Sequence, residues 1–144
     1  MDKWGEKLRE IQESEVVFKP NHLRAMTHAT LTAAHDSNDN EGYGMQVFVQ
    51  QMVTTLTKTK SLGNTGEKIL SEENQIAISL LPIKAKDFGN FFYIVFSSAI
   101  EVEEMFSEHG DLVEDNEMVR GFLTAATACL ELTYNGLNDK ETHE

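Results

Sequence analysis

The stretch AAHDSNDNEGYG, residues 33–44, combines a histidine with five Asp, Asn or Glu side chains and two glycines. A calcium loop of the EF-hand type needs alternating oxygen ligands, a glycine at its sixth position and a closing glutamate at its twelfth. Counted from Asp36, those two positions hold Glu41 and Val47. The ring of ligands would stay open. We therefore expect an exposed, metal-free polar loop over 36–44, in which Gly42 and Gly44 allow positive φ angles.

The His-Asp pair at the start of this loop suggests a second chemistry, in which a bound metal ion activates water for hydrolysis. His28 and His35 fall on one face of a predicted helix, but about 10 Å of helix rise separates them, so one ion cannot easily take both. Ligands from elsewhere would have to complete the site. A small metal-dependent hydrolase that uses His28, His35 and Asp36 is kept as the alternative function.

Two further motifs favour structural roles. GNTGEK, residues 63–68, has the glycines of a phosphate loop but lacks its Gly-Lys-Ser/Thr ending, so it predicts a turn. Cys129 is the single cysteine and falls on the apolar face of a predicted helix, where a thiol usually packs without reacting. We expect no catalytic residue and no cofactor from these motifs.

The segment EVEEMFSEHGDLVEDNE, residues 101–117, carries carboxylates without any Lys or Arg. Solvated helices usually interleave charges of opposite sign, because like charges one turn apart cost a few tenths of a kcal/mol. Glu103 falls within the apolar arc of the predicted helix and is expected to reach outward near its end. The other carboxylates predict one partner-binding surface, here named the acidic face: Glu101, Glu104, Glu108, Asp111, Glu114, Asp115 and Glu117.

Three uses of the acidic face are open. It could keep the protein soluble and monomeric, bind a divalent ion, or dock on a basic protein surface. We prefer the third use, in a small non-enzymatic binding or regulatory protein. Such a protein could be a stoichiometric inhibitor or adaptor of a nucleic-acid-handling machine.

Composition agrees with a protein partner. The net charge is -12, and the only bases in residues 101–144 are Arg120 and Lys140. Such a chain should be repelled by nucleic acid and anionic membranes and attracted to basic surfaces. No apolar run approaches the roughly 20 residues of a membrane span, and the charged N-terminus is unlike a secretory signal. A single cysteine excludes an intrachain disulfide, so we expect a cytoplasmic location.

The spacing of apolar residues gives the fold class. It predicts helices at about 2–13, 21–35, 45–60, 71–81, 90–109 and 116–136. We expect one all-α domain over 1–144, a compact bundle of five or six helices around the helix at about 90–109. Asn90 would cap that helix, Gly110 would end it, and a short flexible tail would start at about 138. The alternative is an α+β fold with a hairpin at 76–96, in which 76–83 pairs with 91–96.

Overall fold

The computed structural model describes residues 4–57 and 82–139, and within these ranges it confirms the all-α bundle. The predicted helix at 71–81 and the predicted turn at 63–68 lie outside the described residues. The described elements, in chain order, are α1 (Gly5–Glu13), β1 (Val17–Phe18), α2 (Pro20–His35), α3 (Asp39–Thr57), β2 (Ile83–Lys84), α4 (Ala85–Glu108), a 3-10 turn (Val113–Asp115) and α5 (Glu117–Gly136).

Helix α3 begins at Asp39, six residues earlier than predicted, so the expected loop over 36–44 is wrong for its last six residues. The amide of Glu41 donates a hydrogen bond of 2.9 Å to Asn38 Oδ1, which caps the first turn. Gly42 and Gly44 are buried helical residues without positive φ. A Cβ atom at Gly42 would overlap the carbonyl oxygen of Ala34, so glycine here permits close approach of α2.

Helix α4 also begins early, at Ala85, so Asn90 lies inside the helix and does not cap it. The strands β1 and β2 pair antiparallel just before it, with Phe18 opposite Ile83. The amide of Ala85 then donates to the carbonyl of Val16 at 2.8 Å. The alternative hairpin is wrong for 85–96, which is helical, whereas 76–81 lies outside the described residues.

The helix ends follow local sequence. Gly110 has a φ of 78°, and Asp111 N–H donates to Phe106 O at 2.9 Å, an arrangement that closes the C-terminus of α4 as predicted. Asn116 caps α5, because its side-chain oxygen accepts a hydrogen bond of 3.0 Å from the amide of Val119.

One apolar core joins the five helices. Helix α4 contributes Phe88, Phe92 and Phe96, all fully buried and four residues apart, so that they share one face. Trp4, just before α1, stacks on Phe96 with ring centroids 4.3 Å apart. The most extensive helix pairing is between α3 and α5. Within residues 4–57 and 82–139, none of the helices has the length and apolar character to cross a membrane.

Candidate functional site

The acidic face lies on the outer side of α4 and the segment after it. Glu101, Glu104 and Glu108 are exposed, and no residue within 4–57 or 82–139 forms an ion pair with them. Asp111, Asp115 and Glu117 are also exposed, whereas the side chain of Glu114 lies outside the described residues. Glu117 accepts a hydrogen bond of 3.3 Å from Asn40 Nδ2. The six described carboxylates of the acidic face are therefore all exposed to solvent.

Exposed apolar side chains accompany these carboxylates. Ile94 is 62% exposed and Met105 is 51% exposed, and both lie on the side of α4 that carries Glu101. Leu112, which follows the helix, is 61% exposed. The sequence interpretation assigned only carboxylates to this surface and missed these residues. Their helical spacing from Glu101, seven residues before it and four after it, could have identified Ile94 and Met105.

A groove of about 360 Å³ runs between α3, α4 and α5. It lies on one side of the C-terminal half of α4, which carries Glu101, Glu104 and Glu108. We name it the apolar groove, since most of its lining is aliphatic or aromatic. Val119, Phe122 and Leu123 fall on the apolar face of α5 but are only half-buried, because they lie in this groove. Its main lining residues are Val47, Val95, Ala99, Val102, Met118 and Phe122.

A second groove, of about 650 Å³, lies on the other side of the same half of α4. Trp4, Leu112 and Leu123 supply apolar walls, and the exposed Glu103 supplies a carboxylate. Glu103 thus reaches outward, as predicted, although its helical angle continues the apolar arc. Leu123 lines both grooves. The segment 100–108 is therefore a ridge between two grooves, and none of its residues is buried.

The single base of α5 is held by α3. Arg120 donates to Glu41 Oε2 through Nη2 at 3.0 Å and through Nε at 3.3 Å. The Glu41 side chain is 23% exposed, so this pair is partly shielded from solvent. Two donors on one oxygen fix the guanidinium in place. Arg120 therefore forms an ion pair with Glu41 that links α5 to α3.

A buried polar cluster joins α2 to α5. The His22 ring stacks on Phe18, and its Nε2 lies 3.2 Å from the hydroxyl of Thr133. Burial lowers the pKa of His22 to about 4. Burial likewise raises the pKa of the Cys129 thiol to about 11, although a hydrogen bond with Thr30 opposes that shift. Both groups are uncharged at neutral pH, and Cys129 is buried on the apolar face of α5, as its helical position predicted.

Sequence reasoning did not single out His22. It lies one turn before Met26, on the α2 face that carries Thr30, and that position was a usable indication of burial. Ala33 was expected on the same face but is exposed. The hydrogen bonds of His22 with Thr133 and of Thr30 with Cys129 link α2 to α5 inside the core.

The residues of the alternative hydrolase lie on the exposed side and at the C-terminal end of α2. His28 and His35 are exposed on that helix, and Asp36 is the exposed residue that ends it. Among residues 4–57 and 82–139, no three His, Cys, Asp or Glu side chains are grouped as metal ligands. The hydrolase stays a prediction from sequence.

Carboxylates, exposed aliphatic side chains and two grooves meet around 101–118, and clustered apolar exposure is typical of binding surfaces. No protein-family model, curated protein or solved structure that we compared with this chain matches it.

Proposed function

We propose that this chain is a non-enzymatic binding or regulatory protein that docks its acidic face on a basic surface of a protein partner. The observation that carries the proposal is the exposure of Glu101, Glu104 and Glu108 without an ion pair inside the described ranges. Carboxylates placed this way repel one another and attract cationic surfaces. A protein that handles nucleic acid offers such a surface, because it binds phosphates through Lys and Arg. Docking there would make this chain a stoichiometric inhibitor or adaptor.

Exposed apolar residues support docking over a purely solubilising role. Met105 and Leu112 lie between the carboxylates and are more than half exposed. Solubility gains nothing from large apolar side chains in water, whereas an interface uses them to hold a partner that charge has attracted. The carboxylates suit the first step of association, attraction of the partner, and the apolar groups suit the second, its retention.

Association kinetics test this proposal. Immobilised wild-type protein first captures partners from its native extract. The association rate of the captured partner is then measured with the wild type and with a triple variant that carries Glu101→Gln, Glu104→Gln and Glu108→Gln. We expect association about tenfold slower at low salt, with a difference that shrinks once salt shortens the screening length to about 8 Å. The matched control replaces Glu6, Glu13 and Glu15 with Gln. These glutamates, in and after α1, are also exposed, and the change in net charge is the same.

The two triple variants separate a local surface from overall charge. Slow association in the acidic-face variant with unchanged association in the control supports docking through the acidic face. Equal rates for the wild type and the acidic-face variant at low salt would refute it. An equal slowing in both variants would also refute it, because only the net charge would then matter.

A further inference from the structure

We propose that the apolar groove between α3, α4 and α5 is the docking site for a basic amphipathic helix of the partner. The helix would place its apolar side chains in the groove and its Lys and Arg side chains over the acidic face. This inference rests on the proposed function and adds to it the site and the chemistry of the partner element.

The apolar character of the groove extends beyond its walls. Met118 lines it and is 44% exposed. Three further exposed side chains each lie within one helical turn of a lining residue: Tyr43 before Val47, Ile94 before Ser98 and Met105 after Val102. Single exposed apolar residues are normal on a protein surface, but a contiguous group marks an interaction site. Such a rim suits the apolar stripe of a helix, whose anchor residues recur every three or four positions.

The charges around the groove indicate the sign of the charge that its occupant should carry. Helix α3 carries Asp39 and Glu41 and has neither Lys nor Arg. The one base of α4, Lys86, lies roughly 20 Å of helix rise before Glu101. In α5 the one base is Arg120, which pairs with Glu41, so these two charges offset each other and the other carboxylates set the sign. The groove is therefore walled by helices of negative charge, and a basic occupant is complementary to it.

The acidic face and the groove are adjacent. Glu101 immediately precedes Val102, which lines the groove, and Glu117 immediately precedes Met118. One carboxylate thus borders the α4 wall and the other borders the α5 wall. A helix seated between the walls would bring basic side chains on its flanks to both carboxylates.

A synthetic peptide of Leu and Lys, with Leu at amphipathic helical spacing, is the probe for this site. Three matched peptides accompany it: a scrambled sequence of the same composition, an amphipathic Leu/Glu peptide and an amphipathic Leu/Gln peptide. Fluorescence anisotropy of labelled peptides gives the dissociation constants. We expect the Leu/Lys peptide to bind at least about tenfold more tightly than each of the other three.

Variants of the protein locate the binding site. Val47→Gln with Val102→Gln changes two half-buried lining residues and should weaken binding of the Leu/Lys peptide about tenfold. Leu132→Gln is the matched control, because Leu132 is 46% exposed on α5 and lines none of the described grooves. It should leave binding unchanged. Thermal melts check folding, and if the double variant does not fold, Met118→Gln replaces it with an expected weakening of about threefold.

The outcomes of these experiments distinguish failure of the groove inference from failure of the acidic-face proposal. Equal binding of the scrambled and amphipathic Leu/Lys peptides would overturn the groove inference but leave the acidic-face proposal standing. Equal binding of the Leu/Gln peptide would overturn the basic occupant. Unchanged binding by the groove variant, with wild-type folding, would overturn the site. A wild-type dimer in sedimentation velocity that the groove variant dissociates would overturn the inference too, because a second copy would then fill the groove.

Discussion

Gly44 in α3 and Gly121 in α5 each lie against the backbone of the other helix. A Cβ atom at Gly44 would overlap the carbonyl oxygen of Met118, and one at Gly121 would overlap that of Glu41. The two helices therefore meet through backbone atoms, an approach that only residues without a side chain permit. Because Gly44 also lines the apolar groove, this contact fixes where α5 begins to form the groove wall.

Alanine at either glycine should separate α3 from α5. In an open helix, Gly→Ala stabilises by up to about 1 kcal/mol, but here the added carbon has no space. We expect Gly44→Ala and Gly121→Ala each to lower the free energy of unfolding by about 2 kcal/mol or more, measured by urea denaturation. Gly5→Ala is the control, since nothing lies within 4 Å of its added Cβ, and it should not destabilise. A gain in stability at Gly121 would contradict the backbone contact.

Phe96 and Phe122 should respond differently to truncation because they differ in burial. Phe96 is fully buried and stacks on Trp4, so Phe96→Ala should cost about 3 kcal/mol or more. Phe122 is half-buried in the apolar groove and meets Phe48 edge to face, so Phe122→Ala should cost less, about 2 kcal/mol. Chemical denaturation measures both values. A larger cost at Phe122 than at Phe96 would be inconsistent with the half-exposed groove.

The buried His22 should make stability depend on pH. Its pKa is lowered to about 4 in the folded state by burial, whereas the unfolded chain binds a proton near its ordinary pKa of 6.5. The contribution of neutral His22 is therefore complete above the unfolded pKa and is lost as the pH falls towards the folded pKa. Between about pH 7 and pH 5 the wild type should lose about 2 kcal/mol through this group.

The control for the pH prediction is His22→Gln, which keeps a polar side chain and does not titrate. Urea denaturation of both proteins at the two pH values isolates the histidine, because the carboxylates titrate in both. Parallel losses in the wild type and the variant would show that His22 is not the source.

The Cys129 thiol should react slowly in the folded protein. It is fully buried, and its pKa of about 11 leaves little thiolate at mildly alkaline pH. We expect a thiol reagent to modify the native protein at least about a hundredfold more slowly than the urea-unfolded protein. The reagent releases an absorbing thiol when it modifies the cysteine, and the absorbance of that product gives both rates. Comparable rates in the two states would show that α2 and α5 open readily around the cysteine.

The turn between α2 and α3 tests the alternative metal site. Asp36 and Asp39 are exposed, and Asp39 is in the first helical turn, where a carboxylate adds a small favourable charge effect. Asp36→Ala with Asp39→Ala should therefore change stability by under about 1 kcal/mol. A thermal shift of several degrees on adding Zn²⁺ or Mn²⁺, lost in this variant and in His28→Ala with His35→Ala, would instead favour the hydrolase.

The helices that the sequence predicted best are those with a long apolar stripe. Met45, Phe48 and Met52 identified α3, but its first turns were missed because Gly42 and Gly44 suggested a loop. Only the neighbouring helices explain glycine there, since Ala34 and Met118 occupy the space of a side chain. The local sequence pattern cannot predict such a close approach between helices. The start of α4 was missed for a related reason, because pairing of β2 with the distant β1 determines where the helix begins.

The candidate site was predictable only in its charges. The absence of Lys and Arg from 101–117 is a property of the sequence alone, and the exposure of Glu101, Glu104 and Glu108 follows from helical spacing. The two grooves depend on where neighbouring helices leave α4 uncovered, which no local pattern specifies. The helical position of His22 indicated burial, but local sequence could not show its partners Phe18, Phe88 and Thr133, which come from three other elements.

Helix α4 consists of two parts that differ in how well they are shielded from solvent, residues 85–99 and the ridge formed by 100–108. Every buried residue of the helix lies between Ala85 and Ala99, so fraying after Ala99 would expose no fully buried side chain of α4. Amide hydrogens after Ala99 should exchange with solvent through local opening, whereas those around Phe92 and Phe96 should wait for unfolding of the whole bundle. A ligand seated beside the ridge would have to order it. Slower exchange in these nine residues would then report binding, and the entropy lost in ordering them would lower the affinity that their contacts provide.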